Sequence, residues 1–226
     1  GNNWFLLPRI PGEQIEFTDV NTGYAVNYDT LYKTTNCGLT WVNLNYGLMG
    51  QVNGMSFLNN NTGFILASPL KKTTNGGLSW TSINSYSGYP QCIYFFNENI
   101  GFIGEHVYNL GWGIRRTTNG GQNWDFQTLP SVDDYIYDFY FTNSSTGFFT
   151  TTGKIFKTTN SGDTWFQVYE HTDSFGLWSA LWSIKFLNEN VGYATASEGK
   201  VLRTTDAGNT WKKYQSLANY GFYNMH

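Results

Sequence analysis

The chain is poor in charge, sulfur and histidine. Charged residues make up 13% of its 226 positions, against about 25% in an ordinary soluble domain. The 13 lysines and arginines never gather beyond pairs such as Lys71–Lys72, and the formal net charge is −3. No basic footprint for nucleic acid results. The 2 cysteines, Cys37 and Cys92, make neither a disulfide framework nor a zinc site. The 3 histidines, His106, His171 and His226, lack ligand spacing, so no metal is expected. No apolar run approaches the ~18 residues of a membrane-spanning helix. The paired glycines sit among turn residues, not at strand–helix junctions, so no cofactor fingerprint appears and no cofactor is expected.

Aromatic residues are abundant, at 19%, and one eight-residue phrase recurs. TTNCGLTW ends at Trp41, TTNGGLSW at Trp80, TTNGGQNW at Trp124, TTNSGDTW at Trp165 and TTDAGNTW at Trp211. A second phrase precedes each: Asn21-Thr-Gly-Tyr24, Asn61-Thr-Gly-Phe64, Asn99-Ile-Gly-Phe102, Ser145-Thr-Gly-Phe148 and Asn190-Val-Gly-Tyr193. Upstream of each of those stands a landmark phenylalanine: Phe17, Phe57, Phe95, Phe141 or Phe186. Between these landmarks the chain reads as short strands, rich in Thr, Tyr, Phe and Ile, broken by turn clusters. Four strands (a to d) per unit of ~40–45 residues is the period of a propeller blade. The expected fold is all-β, with five complete four-stranded antiparallel blades.

The phrase itself reads as the turn between strands c and d. Asn36, Asn75, Asn119, Asn160 and Asp206 are placed to accept from the amide two residues on. Gly38, Gly77, Gly121, Gly162 and Gly208 supply positive φ. Trp41, Trp80, Trp124, Trp165 and Trp211 are expected to open strand d and pack between blades.

This S/T-x-D/N-x-G-x-x-W pattern resembles the Asp-box, or BNR repeat, of sialidases and related propellers. With the N-x-G-[FY] phrase and the basic residue before Thr-Thr, it is most similar to the Ycf48-type assembly-factor repeat. The resemblance covers units at about 15–44, 52–84, 92–129, 136–170 and 181–216 of one array. Gly1–Trp4 echoes Gly208–Trp211, and Met225–His226 echoes Met55–Ser56, so further blades of the same polypeptide are expected, from a six- or seven-bladed parent. The low charge and many Asn, Ser, Thr, Tyr and Trp residues suit an extracytoplasmic protein.

The resemblance implies that ligands meet the d–a and b–c connections, opposite the c–d turns. These connections carry Tyr86, Tyr89, Tyr135, Phe175 and Trp178. The enlarged b–c connection GEHVYNLGWG adds Glu105, His106, Tyr108 and Trp112. Rings beside polar groups stack on sugars or clamp peptides. A sialidase's arginine triad is lacking, because Arg116 and Arg203 occupy the basic slot shared with Lys33, Lys72 and Lys157. Another glycosidase requires two carboxylates about 5–10 Å apart; the candidates are Glu105, Asp133, Asp134, Asp173 and Glu198, with Asp138 nearer the channel mouth. The leading expectation is a non-catalytic module binding a protein or glycan. The alternatives are a polysaccharide-active hydrolase and an assembly factor for a membrane protein complex. Cys37 and Cys92 are expected too far apart to bond.

Overall fold

The computed structural model describes residues 14–44, 51–83, 88–129, 134–171 and 180–215. They form five four-stranded antiparallel sheets in a propeller arrangement, with one short 3₁₀ turn at Ser197–Gly199. Blade 1 comprises β1 (Gln14–Phe17), β2 (Gly23–Asn27), β3 (Thr30–Thr34) and β4 (Val42–Asn43). Blade 2 comprises β5 (Gly54–Phe57), β6 (Gly63–Leu66), β7 (Lys71–Thr73) and β8 (Thr81–Ser82). Blade 3 comprises β9 (Tyr89–Phe95), β10 (Gly101–Val107), β11 (Gly111–Thr117) and β12 (Asp125–Thr128). Blade 4 comprises β13 (Ile136–Phe141), β14 (Gly147–Thr151), β15 (Lys154–Thr158) and β16 (Phe166–Glu170). Blade 5 comprises β17 (Leu181–Phe186), β18 (Gly192–Ala196), β19 (Lys200–Thr204) and β20 (Lys212–Gln215). The first strands of the blades line a central cavity. The second strands are almost wholly buried, and the fourth face solvent.

Both recurrent phrases are explained by contacts. In the c–d turn the threonine hydroxyl does the main capping. Thr158 Oγ1 donates to Asn160 Oδ1 (2.9 Å) and accepts from the Gly162 amide (3.0 Å). Thr34, Thr73, Thr117 and Thr204 repeat the arrangement, and all five threonines are buried. The Asn or Asp oxygen accepts from the residue four on: Thr40, Ser79, Asn123, Thr164 or Thr210. This corrects the expected acceptance two residues on. That Asx geometry belongs instead to the a–b turn, where Asp19, Asn59, Asn97, Asn143 and Asn188 each cap the amides two and three residues later. Two successive residues of the c–d turn take positive φ, for instance Cys37 (60°) and Gly38 (83°) or Ala207 (58°) and Gly208 (75°), a type I′ turn. Only the second is glycine in every copy.

The glycine of the second phrase has a steric role. A Cβ on Gly23, Gly63, Gly101, Gly147 or Gly192 would come closer than 3.0 Å to the ring of that blade's landmark phenylalanine. The ring thus lies flat over the glycine and presents its other face to the preceding blade. There it meets the aromatic residue that follows the previous blade's glycine. Tyr24 stacks on Phe57 and Phe64 on Phe95, each at 3.5 Å between centroids. Phe102 meets Phe141 at 4.9 Å, and Phe148 meets Phe186 at 4.5 Å.

The basic slot before Thr-Thr crosses the same seams. Lys33 donates to the Asn60 and Gly76 carbonyls. Lys72 pairs with Glu98. Arg116 reaches the Ser161 carbonyl and Asp163. Lys157 reaches the Ala207 carbonyl and Asn209. Beneath them, the next blade's turn glycine sits against the earlier blade's core: Gly77 on Leu31 and Leu44, Gly162 on Phe102, Gly208 on Phe148. The indoles contribute edge-on contacts, such as Trp165 with Phe102 across a seam and Phe141 within its own blade, both at about 83°. They remain partly exposed and lie just before strand d, not within it. Their contribution therefore falls short of full burial of an indole.

Candidate functional site

The cavity at the axis has a volume of about 530 Å³, within the range of ligand pockets. Its walls are inner-strand side chains, and many of them tie one blade to the next. Gln14 Nε2 donates to the Asn53 carbonyl, Ser56 Oγ accepts from the Phe95 amide, and Cys92 Sγ donates to the Ile136 carbonyl. Tyr140 OH donates to the Phe186 carbonyl.

Among the described residues, two carboxylates face this space. Asp138 Oδ2 accepts from Ser183 Oγ (2.9 Å), the Ile184 amide (3.0 Å) and Lys185 Nζ (3.2 Å). Glu16 Oε2 accepts from the Phe57 amide at 3.1 Å. Burial raises the Glu16 pKa to about 7, opposed by that amide and by the Lys185 charge.

At the end opposite the c–d turns, rings adjoin the cavity. Tyr89 and His106 lie 6.4 Å apart, His106 and Trp112 5.0 Å, Trp112 and Tyr135 4.5 Å. Tyr135 and Tyr137 follow at 6.2 Å, then Tyr137 and Trp182 at 4.9 Å. The run crosses blades 3, 4 and 5, and Tyr135, Tyr137 and Trp182 line the cavity. Tyr89 is 66% exposed and Tyr135 45%. His106 is the cross-strand partner of both Tyr89 and Trp112, which sets those three on one face of blade 3.

Of the expected ligand residues, Tyr89, His106, Trp112 and Tyr135 thus come together. Tyr108 stands apart, 78% exposed, on the β10–β11 hairpin. Tyr86, Phe175 and Trp178 lie outside the described residues, as do Asp133 and Asp173. The Glu198 side chain is likewise not described. Asp134 is half-buried and its Oδ1 accepts from the Tyr135 amide.

Glu105 departs from expectation. The enlarged connection is mostly strand: Glu105 and His106 belong to β10 and Trp112 to β11, leaving a short hairpin between. The Glu105 side chain is fully buried against Arg115 as an ion pair. Burial lifts its pKa to about 7 against the pull of Arg115. It is not available at the open face.

Tyr137 and Trp182 were missed by sequence reasoning. Each is the extra residue of a β-bulge, between Ile136 and Asp138 and between Leu181 and Ser183. A bulge places two residues opposite one and re-aims a side chain. Gln91 occupies the equivalent bulge of blade 3 and also lines the cavity. Counting four residues back from each landmark phenylalanine would have found all three.

Cys37 lies exposed in the c–d turn of blade 1 and Cys92 on β9 of blade 3, both free thiols. Among the described residues no group of three His, Cys, Asp or Glu side chains could hold a metal, and no helix is long and apolar enough to cross a membrane.

No protein-family model and no curated protein matches the chain. Solved structures do match. A structure of Ycf48 bound to a D1 peptide is 21% identical, covers 88% of this chain and 80% of its own, and gives a TM-score of 0.50. A GH74 enzyme from Niastella koreensis is 17% identical over 89% of this chain and 38% of its own, with a TM-score of 0.67. An ancestral GH74 enzyme is 20% identical over 95% of this chain and 33% of its own, at 0.68. The chain therefore spans about a third of those enzymes. At these identities the likeness concerns the fold.

Proposed function

We propose that this chain is a non-catalytic binding module of the Asp-box, Ycf48-like type. It works outside the cytoplasm and takes up a protein or a glycan on its aromatic end. The observation that carries the reading is the run of rings from Tyr89 to Trp182, with Tyr89 and Tyr135 open to solvent, bordering a ligand-sized cavity. Large aromatic faces supply most of the energy in both protein and sugar recognition. The surrounding charge is low, so affinity rests on stacking and on the polar edges of Tyr, Trp and His. A Ycf48 structure with a bound peptide supports the protein branch of this reading, which includes an assembly-factor role.

Two of the described carboxylates argue against hydrolysis. Asp138 is engaged by three donors and Glu105 is sealed inside blade 3. A hydrolase remains the competing reading because Glu16 and Asp138 share one cavity and Glu16 holds its proton to about pH 7.

The test uses peptide and glycan arrays, followed by calorimetry on the hits. Trp112→Ala with Tyr135→Ala is expected to weaken binding by at least ~30-fold, the loss of one interface hot spot. Release of reducing ends from a polysaccharide, abolished by Asp138→Asn, would favour the hydrolase instead.

A further inference from the structure

The five c–d turns share one geometry, but two of them carry a reactive pair. Asn75 precedes Gly76 and Asn119 precedes Gly120, whereas Asn36 precedes Cys37, Asn160 precedes Ser161 and Asp206 precedes Ala207. A residue without a Cβ lets its own nitrogen reach the side-chain carbonyl carbon of the asparagine before it. Packing accounts for glycine at both places. A Cβ on Gly76 would lie 2.6 Å from the Asn60 carbonyl oxygen, and one on Gly120 2.8 Å from that of Glu98. A third Asn-Gly pair, at Asn53, heads β5 and belongs to no such turn.

In both turns the groups that would react are held. The Gly76 amide donates to the Asn61 carbonyl at 2.8 Å, and the Gly120 amide to that of Asn99 at 2.9 Å. Asn75 Oδ1 accepts from Thr73 Oγ1 and the Ser79 amide, and its Nδ2 donates to Ser79 Oγ. Asn119 Oδ1 accepts from Thr117 Oγ1 and the Asn123 amide. The chain also shows how a carboxylate fits the same place. In blade 5, Thr204 Oγ1 and the Thr210 amide donate to Asp206 Oδ1, and Thr210 Oγ1 donates to Oδ2. Those bonds, led by the Thr210 hydroxyl, hold the Asp206 pKa down at about 2. Its charge in turn favours the charged form of Lys157 across the seam.

We infer that Asn75 and Asn119 are self-modification sites, silent while their turns are closed and converted to aspartate or isoaspartate when the turns open. In the open turn the glycine nitrogen loses its proton and bonds to the asparagine Cγ. The bond from Cγ to the side-chain nitrogen breaks, and that nitrogen leaves with the proton as ammonia. Water then opens the five-membered imide at one or other carbonyl, giving aspartate or isoaspartate. Aspartate at 75 recloses the turn, with Ser79 Oγ donating where it had accepted, as Thr210 Oγ1 does to Asp206. Isoaspartate lengthens the main chain by one atom and takes the side-chain oxygen out of reach of the amide four residues on.

Peptide mapping of the folded chain during storage in mildly alkaline buffer tests this, beside the free peptides TTNGGLSW and TTNGGQNW. Conversion in the chain should be at least ~10-fold slower, because it waits on a local opening. Thr73→Val takes the hydroxyl from Asn75 and should speed conversion there several-fold, leaving Asn119 at its native rate. Ser79→Ala replaces it if circular dichroism shows that variant to be unfolded. Asn75→Asp should keep the native spectrum and melting midpoint. Equal rates in the chain and the peptides overturn the proposal. So does a folded turn variant that leaves the rate at Asn75 unchanged, or an Asn75→Asp chain that melts earlier than the native one.

Discussion

Replacing landmark phenylalanines with alanine gives a series with a built-in control. Phe95 is 2% exposed, stacked on Phe64 at 3.5 Å and set edge-on to Trp124 at 6.0 Å. Its truncation removes a ring from a closed seam and leaves a cavity over Gly101. Buried Phe→Ala changes cost about 3–5 kcal/mol, and the lost stack falls within that total. At roughly 2–4 °C per kcal/mol for a chain of this size, the midpoint should fall by about 6–20 °C. Phe17 has the same chemistry and the same glycine beneath it, with Trp41 edge-on at 6.2 Å, but among the described residues it meets no ring of another blade, and it is 42% exposed. Its truncation should cost about half as much, ~1.5–2.5 kcal/mol, since the transfer term scales with buried area. Urea unfolding followed by tryptophan fluorescence measures both. Equal losses for Phe17→Ala and Phe95→Ala would refute the argument that the seam, and not the blade's own packing, gives these residues their weight.

Two further effects follow from the same geometry. The Glu16 carboxyl is raised from 4.5 to about 7 in the folded chain, so its contribution favours folding below pH 4.5 and is lost as pH rises through 7. Glu16→Gln keeps an acceptor for the Phe57 amide and removes the charge, so the native chain should lose up to ~3 kcal/mol more than the variant between pH 4 and 8, read by urea titrations at both ends. Thr158→Val strips the hydroxyl from the buried Gly162 amide. An unsatisfied buried donor costs about 1–3 kcal/mol, and thermal melts should show the loss restored by Thr158→Ser.

The fold was legible because three landmarks recur in fixed order, and each marks a strand end. Turn type was legible from Gly38 and its counterparts, since positive φ selects glycine. The capping partners were not. Thr and Asn side chains offer similar oxygens, and which one faces the inward amide depends on the strand twist that brings it there. The glycine of the second phrase looked like turn punctuation, because its need arises from a ring six residues upstream. At the candidate site, Tyr89, His106, Trp112 and Tyr135 could be picked as loop-end aromatics. Tyr137 and Trp182 could not, because bulges shift the period-2 pattern by one. Glu105 illustrates the opposite failure: a carboxylate in a Gly-rich stretch reads as a loop residue until the hairpin pairing places it across from Gly113 and beside Arg115.

Lys33, Arg116 and Lys157 each grip a main-chain oxygen on the neighbouring sheet, at Gly76, Ser161 and Ala207. A peptide oxygen is present whatever side chain the codon specifies there, and across the five turns that place holds Cys, Gly, Gly, Ser and Ala. Mutation at this point leaves the handhold intact. A gene segment encoding one sheet can then be copied, deleted or exchanged, and its product still fits beside its new neighbours.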